Sequence, residues 1–216
     1  MCFSATASFS AGTVLLAIGT VTLRMARRPA ERPYAAIPLL FALQQFAEGV
    51  VWLTFGGPAG LNFAAIQVYS FFSHVLWPVY VPVAAWLMEP RGPRRRWLSA
   101  FVAAGLAVGA YLLVSLVTNP IEAHPAGGHV DYHSPHFYIA ASMTLYLLST
   151  TVSLLLSSHT WVKVFGTLAL VSSFVSYLFY AHWFISVWCF FAGVLSLAVA
   201  LHFIARRSLS SPRIPI

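Results

Sequence analysis

All twelve lysines and arginines of this 216-residue chain cluster at the ends of long apolar runs or just beyond them. Arg24, Arg27, Arg28 and Arg32 follow the first run, and Arg91, Arg94, Arg95 and Arg96 follow the third. Lys163 follows the fifth, and Arg206, Arg207 and Arg213 follow the seventh. The runs cover roughly residues 5–24, 34–55, 62–88, 97–117, 137–156, 161–180 and 183–205, each about long enough to cross a hydrocarbon layer of ~30 Å. The pattern predicts an all-α integral membrane bundle of about seven transmembrane helices. Only alternate gaps carry cations, so the positive-inside rule puts the N-terminus outside and the C-terminus in the cytoplasm.

Composition removes the rival classes. Charged residues make up 8% of the chain and hydrophobic ones 59%, too few charges to clothe a soluble domain. The net charge of +7 is concentrated between the spans, so it reads as membrane topology and no nucleic-acid partner is expected. The first cation follows the first run, which therefore reads as a retained helix and not as a cleavable signal. Residues 1–216 form a single transmembrane domain with the lipid bilayer as its surroundings. Cys2 and Cys189 both fall toward the outer face, either paired or free, and are too few for a disulfide framework.

Within the runs, polar residues are informative because burying them in lipid is costly. Glu48 is the carboxylate inside a span, and Gln44 and Gln45 lie four and three residues before it, on one helical face. In the third run, Gln67, Ser70 and His74 again share a face. Pro78 and Pro82 deprive two successive turns of a backbone donor, predicting a bent helix with freed carbonyls beside His74. Gly105 and Gly109 in the fourth run allow close helix approach. His182 falls at the outer tip between the last two runs.

The longest extramembrane segment, residues 118–136, is an extracytoplasmic loop rich in histidine. His129, Asp131 and His133 alternate, which puts them on one side of an extended segment, and His136 follows three residues later. Imidazole with carboxylate suits Zn²⁺, Cu²⁺ or Fe²⁺, so these four residues are candidate metal ligands, for zinc or copper above all. The same imidazoles could instead form a structural or pH-responsive cap.

The opening run MCFSATASFSAG, the arginine-rich first gap and the segment QQFAEGVVW together resemble an uncharacterised family of small bacterial polytopic membrane proteins. That resemblance covers the whole chain and implies a multi-pass protein of the bacterial inner membrane, with no activity attached. Seven spans, an outside N-terminus and Ser70 four before His74 also look like the alkaline ceramidase and adiponectin-receptor zinc hydrolases. That superfamily pairs histidines four apart on its last helix, whereas His182 and His202 here lie twenty apart. Retinal proteins need a mid-membrane lysine in the last helix, and the single lysine is Lys163.

Three functions follow. In the first, an outward-facing pocket binds a metal ion or small ligand, as in a metal-dependent enzyme acting on a hydrophobic substrate. Glu48 and His74 would be its catalytic groups, and Gln44, Gln45, Gln67, Ser70 and His182 its ligand-binding groups. In the second, Glu48 and His74 line a path for protons, ions or a small solute. In the third, the chain is a non-catalytic subunit of a homo-oligomer or larger membrane complex.

Overall fold

The computed structural model describes residues 4–134, 139–180 and 191–209. Ser4 starts the first helix, its hydroxyl accepting from the Ala7 N–H at 3.2 Å and satisfying one of the donors a helix start leaves open. Helix α1 runs Ala5–Met25 and α2 Arg32–Thr54, joined by a 3-10 turn, Pro29–Glu31. Helix α3 spans Ala59–Met88 and α4 Pro93–Thr118. Strands β1, Glu122–Ala126, and β2, His129–His133, follow as a hairpin. Helix α5 spans Ile139–Leu155, α6 Thr160–Tyr180 and α7 Ala192–Leu209. The described residues thus hold seven helices, of which α1 to α4 and α6 are long and apolar enough to cross a membrane. The predicted start of the last run, residue 183, lies outside the described residues.

The hairpin corrects a purely helical reading. Gly127 and Gly128 both take positive φ, 56° and 80°, the two-residue turn whose twist matches paired antiparallel strands. Side chains with a Cβ resist that conformation, so the Gly-Gly pair is what lets the strands fold back.

Packing follows the small residues. A Cβ at Gly19 of α1 would stand 2.5 Å from Leu39 of α2, and Gly12 and Gly49 are similarly filled by Phe46 and Phe9. In helix α3 the first of the two prolines coincides with a departure from regular α geometry. Phe71–Leu76 form a π turn in which the Trp77 N–H reaches back to the Phe72 carbonyl, because Pro78 has no N–H to offer His74. One turn on, Pro82 leaves the Pro78 carbonyl without its helical donor, and Gly105 of α4 lies directly against that oxygen.

The surface is greasy and the interior is mixed. Val14, Leu106, Val114 and Phe174 are more than half exposed, while Ser8, Thr22, Gln44 and Glu48 are fully buried. That inversion suits lipid and not water. The Tyr80 hydroxyl donates to the Pro33 carbonyl at 2.9 Å, and Arg206 pairs with Glu31. Glu89 accepts from Ser157 and Ser158. These contacts join the α1–α2, α3–α4 and α5–α6 connections and the end of α7, so the described cations gather at one end of the bundle. The hairpin covers α2 and α3 at the opposite end.

Candidate functional site

Between α2 and α3 lies a buried polar seam. Gln44, Gln45 and Glu48 of α2 and Ser70 of α3 are all buried, with His74 8% exposed. The two helices run antiparallel, and two contacts set their register. Near the hairpin end, Asn62 Nδ2 donates to the Val51 carbonyl at 3.3 Å and the Thr54 hydroxyl at 2.9 Å. Deeper in, Trp77 Nε1 donates to Gln44 Oε1 at 2.7 Å. Glu48, one turn from Gln44 toward the hairpin, therefore stands at the level of Ser70–His74.

The π turn shapes the α3 side of the seam. The Ser73 hydroxyl donates to the Ser70 carbonyl at 3.2 Å and meets His74 Nδ1 at 2.9 Å. The direction of the Ser73–His74 hydrogen bond follows the ring's tautomer. Tyr146 of α5 donates to the Ser73 carbonyl at 2.6 Å, locking the widened turn against a second helix. Such π turns recur at functional sites because they rotate side chains out of normal helical register.

Two members of the seam are left over. Neither end of the Gln45 amide, nor the Ser70 hydroxyl, has a hydrogen-bond partner among the described residues. A buried polar group without a partner costs about 1–3 kcal/mol, so Gln45 and Ser70 carry unmet hydrogen-bonding capacity among the described residues.

Other predicted residues have different surroundings. Gln67 clamps the loop before the hairpin: its Nε2 donates to the Ile121 carbonyl at 2.8 Å, and its Oε1 accepts from the Ile121 N–H at 3.4 Å. His182, His136, Cys2 and Cys189 lie outside the described residues. The strand register sets Glu122 opposite His133 and His124 opposite Asp131, so these four and His129 share one face. The other face, with Ala123, Val130 and Tyr132, packs on Val51, Ile66 and Tyr69. Tyr132 stacks on Tyr69 at 4.5 Å between ring centroids. Burial pushes the His129 imidazole below its ordinary pKa, favouring the neutral ring. Among the described residues no three His, Cys, Asp or Glu side chains come together as a metal site.

Two buried carboxylates went unremarked in the sequence. Glu31 accepts from the N–H groups of Arg27 and Arg28 at 3.2 and 3.3 Å and pairs with Arg28 and Arg206. Glu89 is 3% exposed and binds the start of the α6 segment. Glu31 belongs to a loop and Glu89 to the end of a span. Arg206 lies 175 residues from Glu31 and Ser158 lies 69 from Glu89, so no local spacing announces those two contacts.

A family model matches residues 1–214. The chain belongs to DUF6629, a family of unknown function. No curated protein and no solved structure matches it. The match spans the seam, the hairpin and the basic end of this chain.

Proposed function

We propose that this DUF6629 member is a multi-pass protein of the bacterial inner membrane that binds a small polar ligand between α2 and α3. In this reading seven helices cross the bilayer with the N-terminus outside, and the seam opens toward the outer face beneath the hairpin. The observation that carries it is the Gln45 amide and the Ser70 hydroxyl, buried and without a partner among the described residues, beside Glu48 and His74. Glu48 would act as acid or base toward the ligand, with His74 beside it. A transport path is less supported. The hydroxyls of Ser149, Thr150, Thr151 and Ser153, which a path to the basic end would need, donate to carbonyls of their own helix.

The test is a pair of variants. The Gln45 amide has no described partner, so Gln45→Leu orphans nothing and removes a buried unsatisfied group. Its melting temperature in detergent is expected to rise by roughly 3–6 °C. Glu48→Gln should melt within about 2 °C of the parent chain. Small amides, alcohols, carboxylates, Zn²⁺ and Cu²⁺ are then screened for thermal stabilisation of the parent protein. Any stabilising compound should lose its effect in both variants. A fall in melting temperature for Gln45→Leu would mean that the amide is a structural element and not a binding group.

A second reading, zinc or copper held by the hairpin, rests on the shared strand face of His129, Asp131 and His133 alone, since no three such side chains come together among the described residues. Elemental analysis of the detergent-purified protein is expected to find about one metal ion per chain, lost when His129, His133 and His136 are replaced together. Equal trace metal in both proteins would leave the hairpin as a cap.

A further inference from the structure

At the basic end, α1 and α7 enclose a cleft of about 370 Å³, walled by Arg24, Arg27, Arg206 and Arg207. Glu31 is the one carboxylate in its lining, so four positive charges face one negative charge, a net of +3. Glu31 holds Arg206 in place, and the guanidinium groups of Arg24 and Arg27 have no carboxylate partner among the described residues. The same lining includes Val21 and Phe203. Val21 is 53% exposed and continues an apolar stripe with Val14, seven residues earlier on the same face of α1. Leu197, Leu201 and Ile204 form a matching exposed stripe on α7, and the two helices pack against each other.

We propose that this cleft binds the phosphodiester headgroup of an anionic phospholipid, with its acyl chains lying along the apolar stripes of α1 and α7. Guanidinium groups pair bidentately with phosphate oxygens, and several arginines at a helix-end cleft supply the charge such a headgroup needs. A soluble phosphate would satisfy the arginines alone. The apolar wall and the stripes leading from it favour a ligand that is anionic at one end and hydrocarbon at the other. Arg206 is the fixed element, seated by Glu31, and Arg24 and Arg27 are the mobile arms that close on the phosphate. The headgroup would tie α1 to α7, the first helix of the bundle to the last.

The test uses the full chain in detergent, with native mass spectrometry reading retained lipid. Phosphatidylglycerol and phosphatidylcholine of equal chain length are compared on the parent protein and on an Arg24→Gln/Arg27→Gln double variant. Both arginines are exposed, and Arg28 and Arg32 keep the loop positive, so the variant should melt like the parent. Phosphatidylglycerol is expected to outlast phosphatidylcholine about tenfold on the parent and to lose most of that advantage on the variant. Millimolar inorganic phosphate should not displace it. Equal retention of the two lipids, or a preference unchanged in the variant, overturns the proposal. So does displacement of the lipid by inorganic phosphate, which would make the cleft a soluble-anion site.

Discussion

Gly105→Ala is expected to lower the melting temperature in detergent by about 6–12 °C, a loss of roughly 3 kcal/mol. A methyl group there would stand 1.9 Å from the Pro78 carbonyl oxygen and 3.0 Å from its carbon. Ordinary carbon–oxygen contacts are about 3.3 Å or more, so α4 would have to retreat by more than an ångström. The obstacle is backbone and not the end of a flexible side chain, so the clash cannot be relieved by a rotamer change. Retreat of α4 would also uncover a carbonyl that Pro82 already leaves without its helical donor, in a setting where lipid offers no replacement. Gly60→Ala is the control: nothing lies within 4 Å of a Cβ at that position, so it should melt like the parent or slightly higher. If Gly105→Ala melts with the control, the helices are not held at this contact.

Glu89→Ala should have the second-largest effect, a loss of about 2–3 kcal/mol. Its carboxylate accepts from the Ser157 hydroxyl at 3.1 Å and the Ser158 N–H at 2.9 Å, just ahead of α6. The negative charge also lies at the positive end of the α6 dipole. Truncation leaves the buried Ser157 hydroxyl and the Ser158 N–H without this acceptor, and cuts the link between the α3–α4 and α5–α6 connections. His159 contacts the Met88 carbonyl at 3.3 Å across the same joint, so loosening should spread into the first turn of α6. Glu89→Gln keeps an acceptor without the charge and should lose about half as much. Hydrogen exchange of residues 156–163 checks the mechanism. Faster exchange confined to that segment and the end of α3 is expected, and unchanged exchange would show that Glu89 is not what anchors α6.

The two predictions show which features were legible in the sequence and which were not. Pro78, Pro82 and Gly105 are readable because their effects are intrinsic. A missing N–H and a missing side chain act wherever the chain places them. The segment around Glu48 was equally visible, since a carboxylate in an apolar run must face inward. The hairpin had its signal too, a Gly-Gly pair between two short runs, hidden among histidines that suggest metal chemistry. Gln67 illustrates the opposite case. It shares a helical face with Ser70 and His74, yet its amide binds Ile121, because side-chain reach and the path of a distant loop decide its partner.

What the sequence determined alone is the membrane character of the chain, the approximate course of its helices and the gathering of its cations into alternate connections. Each is a property of local hydrophobicity and charge, which the bilayer reads segment by segment. What only the tertiary structure decided is who meets whom. The Gln45 amide and the Ser70 hydroxyl meet no partner among the described residues, Glu31 seats Arg206, Glu89 holds the start of α6, and four arginines converge on one cleft. Those outcomes depend on the register of helices far apart in the chain. Register is set by how small and large side chains interdigitate across every interface at once, which no single segment encodes.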